Sequence, residues 1–219
     1  MSVEGSGGPA FVDGRPAFFD PLSTEQLTRI ICRQFEEQPS RGLGADMPSF
    51  GGPGLYAIYY EGVSVELYRP VSGLTIPLYV GQSRSTNSAT GRTNPSARPL
   101  YLRVQQHRRS IIEGDLPPDE FSVRLLEMPD VHIDLGENGL RVGYKPVWNA
   151  ILNGFGSHEQ GATTRQSGRS KWDTVHEGRS RTYGASRWDR DELIAQAAEA
   201  IRQQVTTYND LPWHHSPVG

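Results

Sequence analysis

The sequence predicts a small α/β layer, about three strands with helices between them, carrying long loops. The runs LYAIYY (55–60), PLYVGQ (77–82) and FSVRLLEM (121–128) are short and either apolar or alternating, as strands are. Leu100, Val104, His107 and Ile111 recur at helical spacing, as do Leu193, Ala197 and Ile201. Glycine and proline number 24 and 16 of 219 residues and show no period, so loops rather than a collagen-like repeat fill the remainder.

In chain order, residues 1–20 lack periodicity and are expected to form a poorly ordered lead-in. A first helix is expected from Ser23, with Gln26 completing a capping box and Leu27, Ile30, Ile31 and Phe35 on one face. It should end before Pro39, with Cys32 simply packed inside. Residues 39–54 read as a loop, and Val63 to Tyr68 alternates well enough for a further strand or hairpin arm. The polar, basic stretch 84–98 is an exposed loop leading into a helix over 99–113. A short helix is expected over 134–143, weakened by Gly136, Gly139 and Gly143 at up to ~1 kcal/mol each relative to Ala. Residues 153–187 are rich in Gly, Ser, Thr and Arg. Asp189 should cap a last helix, 189–206, that buries Leu193, Ala197, Ile201 and Val205. The whole chain, 1–219, reads as one domain.

The net charge of −3 and pI near 6.1 point away from nucleic acid at first reading. That total hides opposed blocks. Residues 84–109 carry 6 basic and no acidic side chains, 110–137 carry 1 and 8, and 138–187 carry 8 and 3. A near-neutral chain built this way can present one cationic face, and local charge rather than the total sets the field a ligand meets. No apolar run approaches the ~20 residues that span a bilayer, and the N-terminus lacks the basic and apolar parts of a signal peptide. A lone Cys32 excludes an intrachain disulfide framework and suits a reducing cytoplasm, the compartment expected here.

Some residues could carry chemistry. Tyr56 in GLY (54–56) and Tyr79 in YVG (79–81) each sit on a strand near a glycine, where paired strands could bring both hydroxyls to one surface. Taken alone, such tyrosines are usually core residues with a wet tip. Arg103 and His107, at i and i+4, share one helix face at the end of the basic loop. Glu137 alone would be a surface carboxylate, and Asn149 alone a turn or cap residue.

Taken together and in this order, Gly54-Leu55-Tyr56, Tyr79-Val80-Gly81, Arg103 with His107, Glu137 and Asn149 resemble the signature of the GIY-YIG nucleases. The two tyrosine motifs stand further apart than is usual there, so 61–76 and 84–98 read as insertions into a core over 50–150. With those insertions, YKPVWNAILNGFGSH (144–158) and SKWDTVHEGR (170–179) resemble the type II restriction endonucleases of this superfamily, specifically those cutting the palindrome CCGCGG. Trp172 and His176 belong to the matching stretch.

The resemblance implies an α+β fold, a three-stranded, mainly antiparallel sheet flanked by helices. It implies one Mg²⁺ per active site held by Glu137, Arg103 on the phosphate, and Tyr56 orienting and deprotonating the attacking water, with His107 taking or relaying the proton. Tyr79 would hold the water or phosphate, and Asn149 would fix the phosphate or the surroundings of Glu137. Double-stranded DNA is the expected partner, and a palindrome implies a homodimer on it. Arginine bidentate to guanine is the commonest specific contact. The candidates are Arg165, Arg169, Lys171, Arg179 and Arg181 in the 153–187 extension, with Arg92 and Arg98 from the first loop. A nickase of repair or mobility and a non-catalytic DNA-binding protein on this fold are the alternatives. Trp188 and Trp213 read as packing, and His214-His215 as a solvated tail.

Overall fold

A computed structural model describes residues 11–12, 15–16, 20, 23–44, 47–85, 98–156, 168–179 and 186–214. The expected lead-in (1–20), most of the 84–98 loop, and Arg92, Arg165, Arg181 and His215 lie outside the described residues apart from the short ladder pairing 11–12 with 15–16 and the capping residue Asp20. The main sheet contains β1 (Arg41–Gly42), β2 (Gly54–Tyr60), β3 (Tyr79–Ser83) and β4 (Phe121–Glu127), ordered β1-β4-β2-β3 and antiparallel throughout. The helices are α1 (Thr24–Glu36), α2 (Pro99–Glu113), α3 (Asp130–Tyr144), α4 (Val147–Ala150), α5 (Lys171–Val175) and α6 (Arg190–Thr207). None of the described helices is long and apolar enough to cross a membrane.

All seven residues of β2 are buried because both faces of this strand are covered. Tyr56, Ile58 and Tyr60 join one core with Leu100, Val104, Trp148, Phe155, Trp172 and Leu193. The alternate residues, Leu55, Ala57 and Tyr59, join a second core with Cys32, Phe35, Ile133 and Leu140. The unbroken apolar run in the sequence is the mark of that double covering, and the period of two sends its tyrosines to opposite sides.

Several elements depart from expectation. The described sheet has a fourth strand, β1, where a loop is expected; its two residues pair with Val123 and Ser122. Val63 to Tyr68 supplies no strand, and Glu66–Val71 is a 3₁₀ helix. Side chains take the nearby backbone donors: Val65 N–H donates to the Tyr60 hydroxyl at 2.7 Å, and Ser64 N–H to Glu120 at 3.1 Å. Pro70 also lacks a ladder donor. Ser23 makes no side-chain cap. Asp20 replaces it, accepting from Thr24 N–H at 2.7 Å and the Thr24 hydroxyl at 3.0 Å.

The helix expected over 134–143 is longer, 15 residues, and its glycines are contact points. A Cβ at Gly136 would meet Leu55 and Ile31, one at Gly139 would meet Thr28 and Cys32, and one at Gly143 would meet Trp213. Bare backbone there lets α1, Leu55 and Trp213 approach α3, which offsets the loss of intrinsic helix propensity. In α6 the Asp189 cap is as expected, accepting from Glu192 N–H at 2.8 Å. Val205, however, is exposed. Gln204 is buried in its place and donates to the carbonyls of Tyr144 and Lys145, each at 2.9 Å. Trp213 packs as expected, Trp188 is exposed instead of packed, and His214 is exposed as expected, with its ring 2.9 Å from the Glu36 carboxylate.

Candidate active site

The register of β2 against β3 puts Tyr56 opposite Gly81. A Cβ at position 81 would fall on the Tyr56 phenol and the Tyr79 ring, so glycine is what lets the phenol cross the neighbouring strand. The Tyr56 hydroxyl then lies 2.6 Å from Nε2 of His107 on α2, and both residues are fully buried. The Tyr79 ring completes the cluster, 6.0 Å from the Tyr56 ring and 5.2 Å from His107 between centroids. Phe155 stacks on His107 at 4.6 Å and 18°, and meets the Tyr79 ring edge-on at 5.1 Å. Arg103, one turn before His107, donates to the Gly156 carbonyl at 3.1 Å and to Gln106 at 3.3 Å.

Burial pushes the Tyr56 hydroxyl well above the ordinary phenol range, the Tyr79 hydroxyl beside it adds to the rise, and the Arg103 guanidinium opposes it. Tyr79 is also raised by burial and pulled back by Arg103. Tyr56 is therefore a neutral phenol at physiological pH.

Glu137 stands on the opposite side of the sheet from Tyr56, near enough for its charge to act on the Tyr79 hydroxyl. β3 is an edge strand, and α3 packs against it on the face that Gln82 also occupies. The Gln82 amide donates to Glu137 Oε2 at 2.7 Å and to Asp134 Oδ1 at 3.1 Å, while Arg141 stands 3.8 Å from Oε1 of Glu137. Asp134 is also paired with Arg84. Burial raises the Glu137 carboxyl above its usual range, against the pull of Arg141 and Gln82. Among the described residues no group of three or more His, Cys, Asp or Glu is arranged around a metal position. A single partly desolvated carboxylate with oxygen donors fits a hard divalent ion that keeps several of its waters.

Asn149 lines the outer edge of β3. Its Oδ1 accepts from Val80 N–H at 2.8 Å and its Nδ2 donates to the Val80 carbonyl at 2.9 Å. With Trp148 N–H on the Leu78 carbonyl at 2.8 Å, the start of α4 covers the edge of β3 that no described strand pairs with. The Asn149 amide thus holds backbone between Tyr79 and Gly81.

The described basic candidates separate. Arg98 is exposed, donates to Ser49 at 2.6 Å and lies over Tyr101. Arg169 pairs with Glu177 at 2.9 Å, and the Lys171 ammonium lies 4.7 Å above the Trp188 ring. Arg179 corrects the expectation of a DNA contact: its side chain is 1% exposed and paired with buried Asp173 at 2.5 Å. Trp172 is fully buried and His176 nearly so, with the His176 Nε2 2.5 Å from the Tyr68 hydroxyl. Sequence reading missed Gln82, Phe155 and Gly156. The two glycines flanking Phe155 were the only local sign that backbone approaches something closely there: a Cβ at Gly156 would fall on the Tyr79 hydroxyl.

A family model described as the Eco29kI GIY-YIG domain matches residues 48–209, a span that contains Tyr56, Tyr79, Arg103, His107, Glu137 and Asn149. No curated protein matches the chain.

Proposed function

The chain belongs to the Eco29kI GIY-YIG domain family, a restriction endonuclease family, and is a nuclease acting on DNA; from that premise we propose a type II, site-specific endonuclease. It cuts double-stranded DNA within a short palindrome, CCGCGG, leaving 5′-phosphate and 3′-hydroxyl ends. The observation that carries this reading is the 2.6 Å bond between the Tyr56 hydroxyl and His107 Nε2, beside Arg103 and across the edge strand from Glu137.

Phosphodiester hydrolysis needs an aligned water, an acceptor for its proton, and positive charge on the phosphoryl oxygens. Arg103 supplies a permanently charged fork for the non-bridging oxygens. Tyr56 is too weak an acid to wait as a phenolate. It accepts the water's proton while its own passes to Nε2 of His107, so the imidazole is the final base. Tyr79, held at Val80 by Asn149, flanks the water and the scissile phosphate. Glu137, steadied by Gln82, would hold one Mg²⁺, and the ion when bound would supply Lewis acidity for the leaving 3′ oxygen.

Arg98, Arg169 and Lys171, with Arg92, Arg165 and Arg181, supply phosphate and guanine contacts. A palindromic site is matched by a homodimer on the DNA. Digestion of a plasmid of known sequence with Mg²⁺, followed by sequencing of the ends, tests the whole reading. Discrete double-strand cuts within CCGCGG are expected. Random nicking, or no cleavage by folded protein, would refute it.

A further inference from the structure

We propose that Arg179 is a positioning residue of the nuclease site, acting through residues 154–156 on His107, Tyr79 and Arg103. The inference rests on the reading above that these three side chains belong to the cleaving site.

A surface arginine that meets DNA keeps its fork in solvent, whereas this one spends it inside the protein. Its plane covers the Trp172 ring at 4.4 Å. Nε donates to Asp173 Oδ1 at 2.5 Å, and the other oxygen of Asp173 accepts from the Ser170 hydroxyl at 2.5 Å. The two remaining nitrogens grip consecutive carbonyls, Nη1 on Phe155 at 3.0 Å and Nη2 on Gly154 at 3.0 Å. Nη1 also lies 3.4 Å from the Ser110 hydroxyl of α2, the helix that bears Arg103 and His107.

The gripped segment is a turn with Gly154 at φ 107°, and the two Arg179 bonds tie its carbonyls to Asp173 and α2 rather than to a helix or sheet ladder. What it carries is the wall of the site. Phe155 is fully buried and stacks on His107. The next residue, Gly156, abuts the Tyr79 hydroxyl and accepts the hydrogen bond from Arg103. Lysine at 179 would keep the charge opposite Asp173, but one ammonium lacks the planar fork that spans the carboxylate and both carbonyls.

The test uses the full chain with Arg179→Lys and Phe155→Leu, each assayed below its own unfolding temperature. Single-turnover cleavage is measured with Mg²⁺, and binding of the same duplex without divalent ion is measured across a salt series. Arg179→Lys should cleave ~100-fold more slowly, the scale of a misplacement near 1 Å, with affinity and salt slope unchanged. Phe155→Leu should be slowed in the same direction, and the double variant should lose less than the product of the two singles. A cleavage rate within threefold of the parent, or weaker binding with a salt slope reduced by about one, would overturn the proposal. Should Arg179→Lys fail to fold, Phe155→Leu decides, and parental cleavage by that variant overturns it. Arg103→Ala and Tyr56→Phe run in parallel separate the two readings. Normal cleavage by those two sinks the active-site reading itself, whereas their inactivity beside an active Arg179→Lys sinks only the brace.

Discussion

Replacing Gly81 by alanine adds one methyl group to an edge strand and should disable the nuclease. Two effects favour alanine: strand preference, worth at most ~1 kcal/mol, and a less flexible unfolded chain, ~0.4–1 kcal/mol. Against them, the new Cβ falls on the fully buried Tyr56 phenol and close to the half-buried Tyr79 ring, and the phenol has no solvent to retreat into. Overpacking of this kind costs ~1–3 kcal/mol. Driving the phenol off His107 Nε2 adds the ~1–3 kcal/mol of a buried polar group left unsatisfied. Costs of roughly 2–6 kcal/mol against gains of roughly 0.4–2 kcal/mol leave a net destabilisation centred on ~3 kcal/mol. On the proposed mechanism the moved atoms handle the proton, so the effect on catalysis should be larger in kind; loss of general-base assistance is worth ~10²–10⁴-fold. Thermal unfolding followed by circular dichroism gives the first number and single-turnover cleavage at a temperature where the variant is folded gives the second. A Gly81→Ala protein that cuts within threefold of the parental rate would refute the crossing of Tyr56 over β3 as the basis of the site.

Gly143→Ala sets helix propensity, ~1 kcal/mol in favour of alanine, against contact with the buried Trp213 indole, ~1–3 kcal/mol against it; denaturant melts should show a net loss of about 1 kcal/mol, and a gain would refute the packing role of that glycine. Burial, aided by Arg190 and Arg179, holds His176 down to about 3. Its unfolded counterpart takes up a proton below ~6.5, so acidification from there towards pH 3 costs stability at up to ~1.4 kcal/mol per pH unit. His176→Gln should remove that part of the slope, and urea melts with an unchanged pH dependence would contradict it. Glu137→Ala should abolish cleavage while leaving specific DNA binding largely intact, as read by gel shift beside digestion; retained Mg²⁺-dependent cutting would exclude Glu137 as the metal ligand.

Local signals fixed much of this protein because they depend only on neighbouring residues. The apolar runs at 55–60, 77–82 and 121–128 become β2, β3 and β4, the helix expected over 99–113 is α2, and Asp189 caps α6. The order of Tyr56, Tyr79, Arg103, His107, Glu137 and Asn149 is legible in the sequence because the roles proposed for them attach to residue type and to strand or helix position. Contacts distant in sequence decided the rest. Gly136, Gly139 and Gly143 look like defects until α1 and Trp213 lie against them. Val63 to Tyr68 alternates like a strand, yet the Tyr60 hydroxyl and the Glu120 side chain claim its donors. Arg179 illustrates the limit most directly. In the sequence it is one more cation in a basic extension, and only the fold brings Asp173, Trp172 and two loop carbonyls around it. A charge does not say whether water or protein will satisfy it, and that choice is made by which surfaces the tertiary structure removes from solvent.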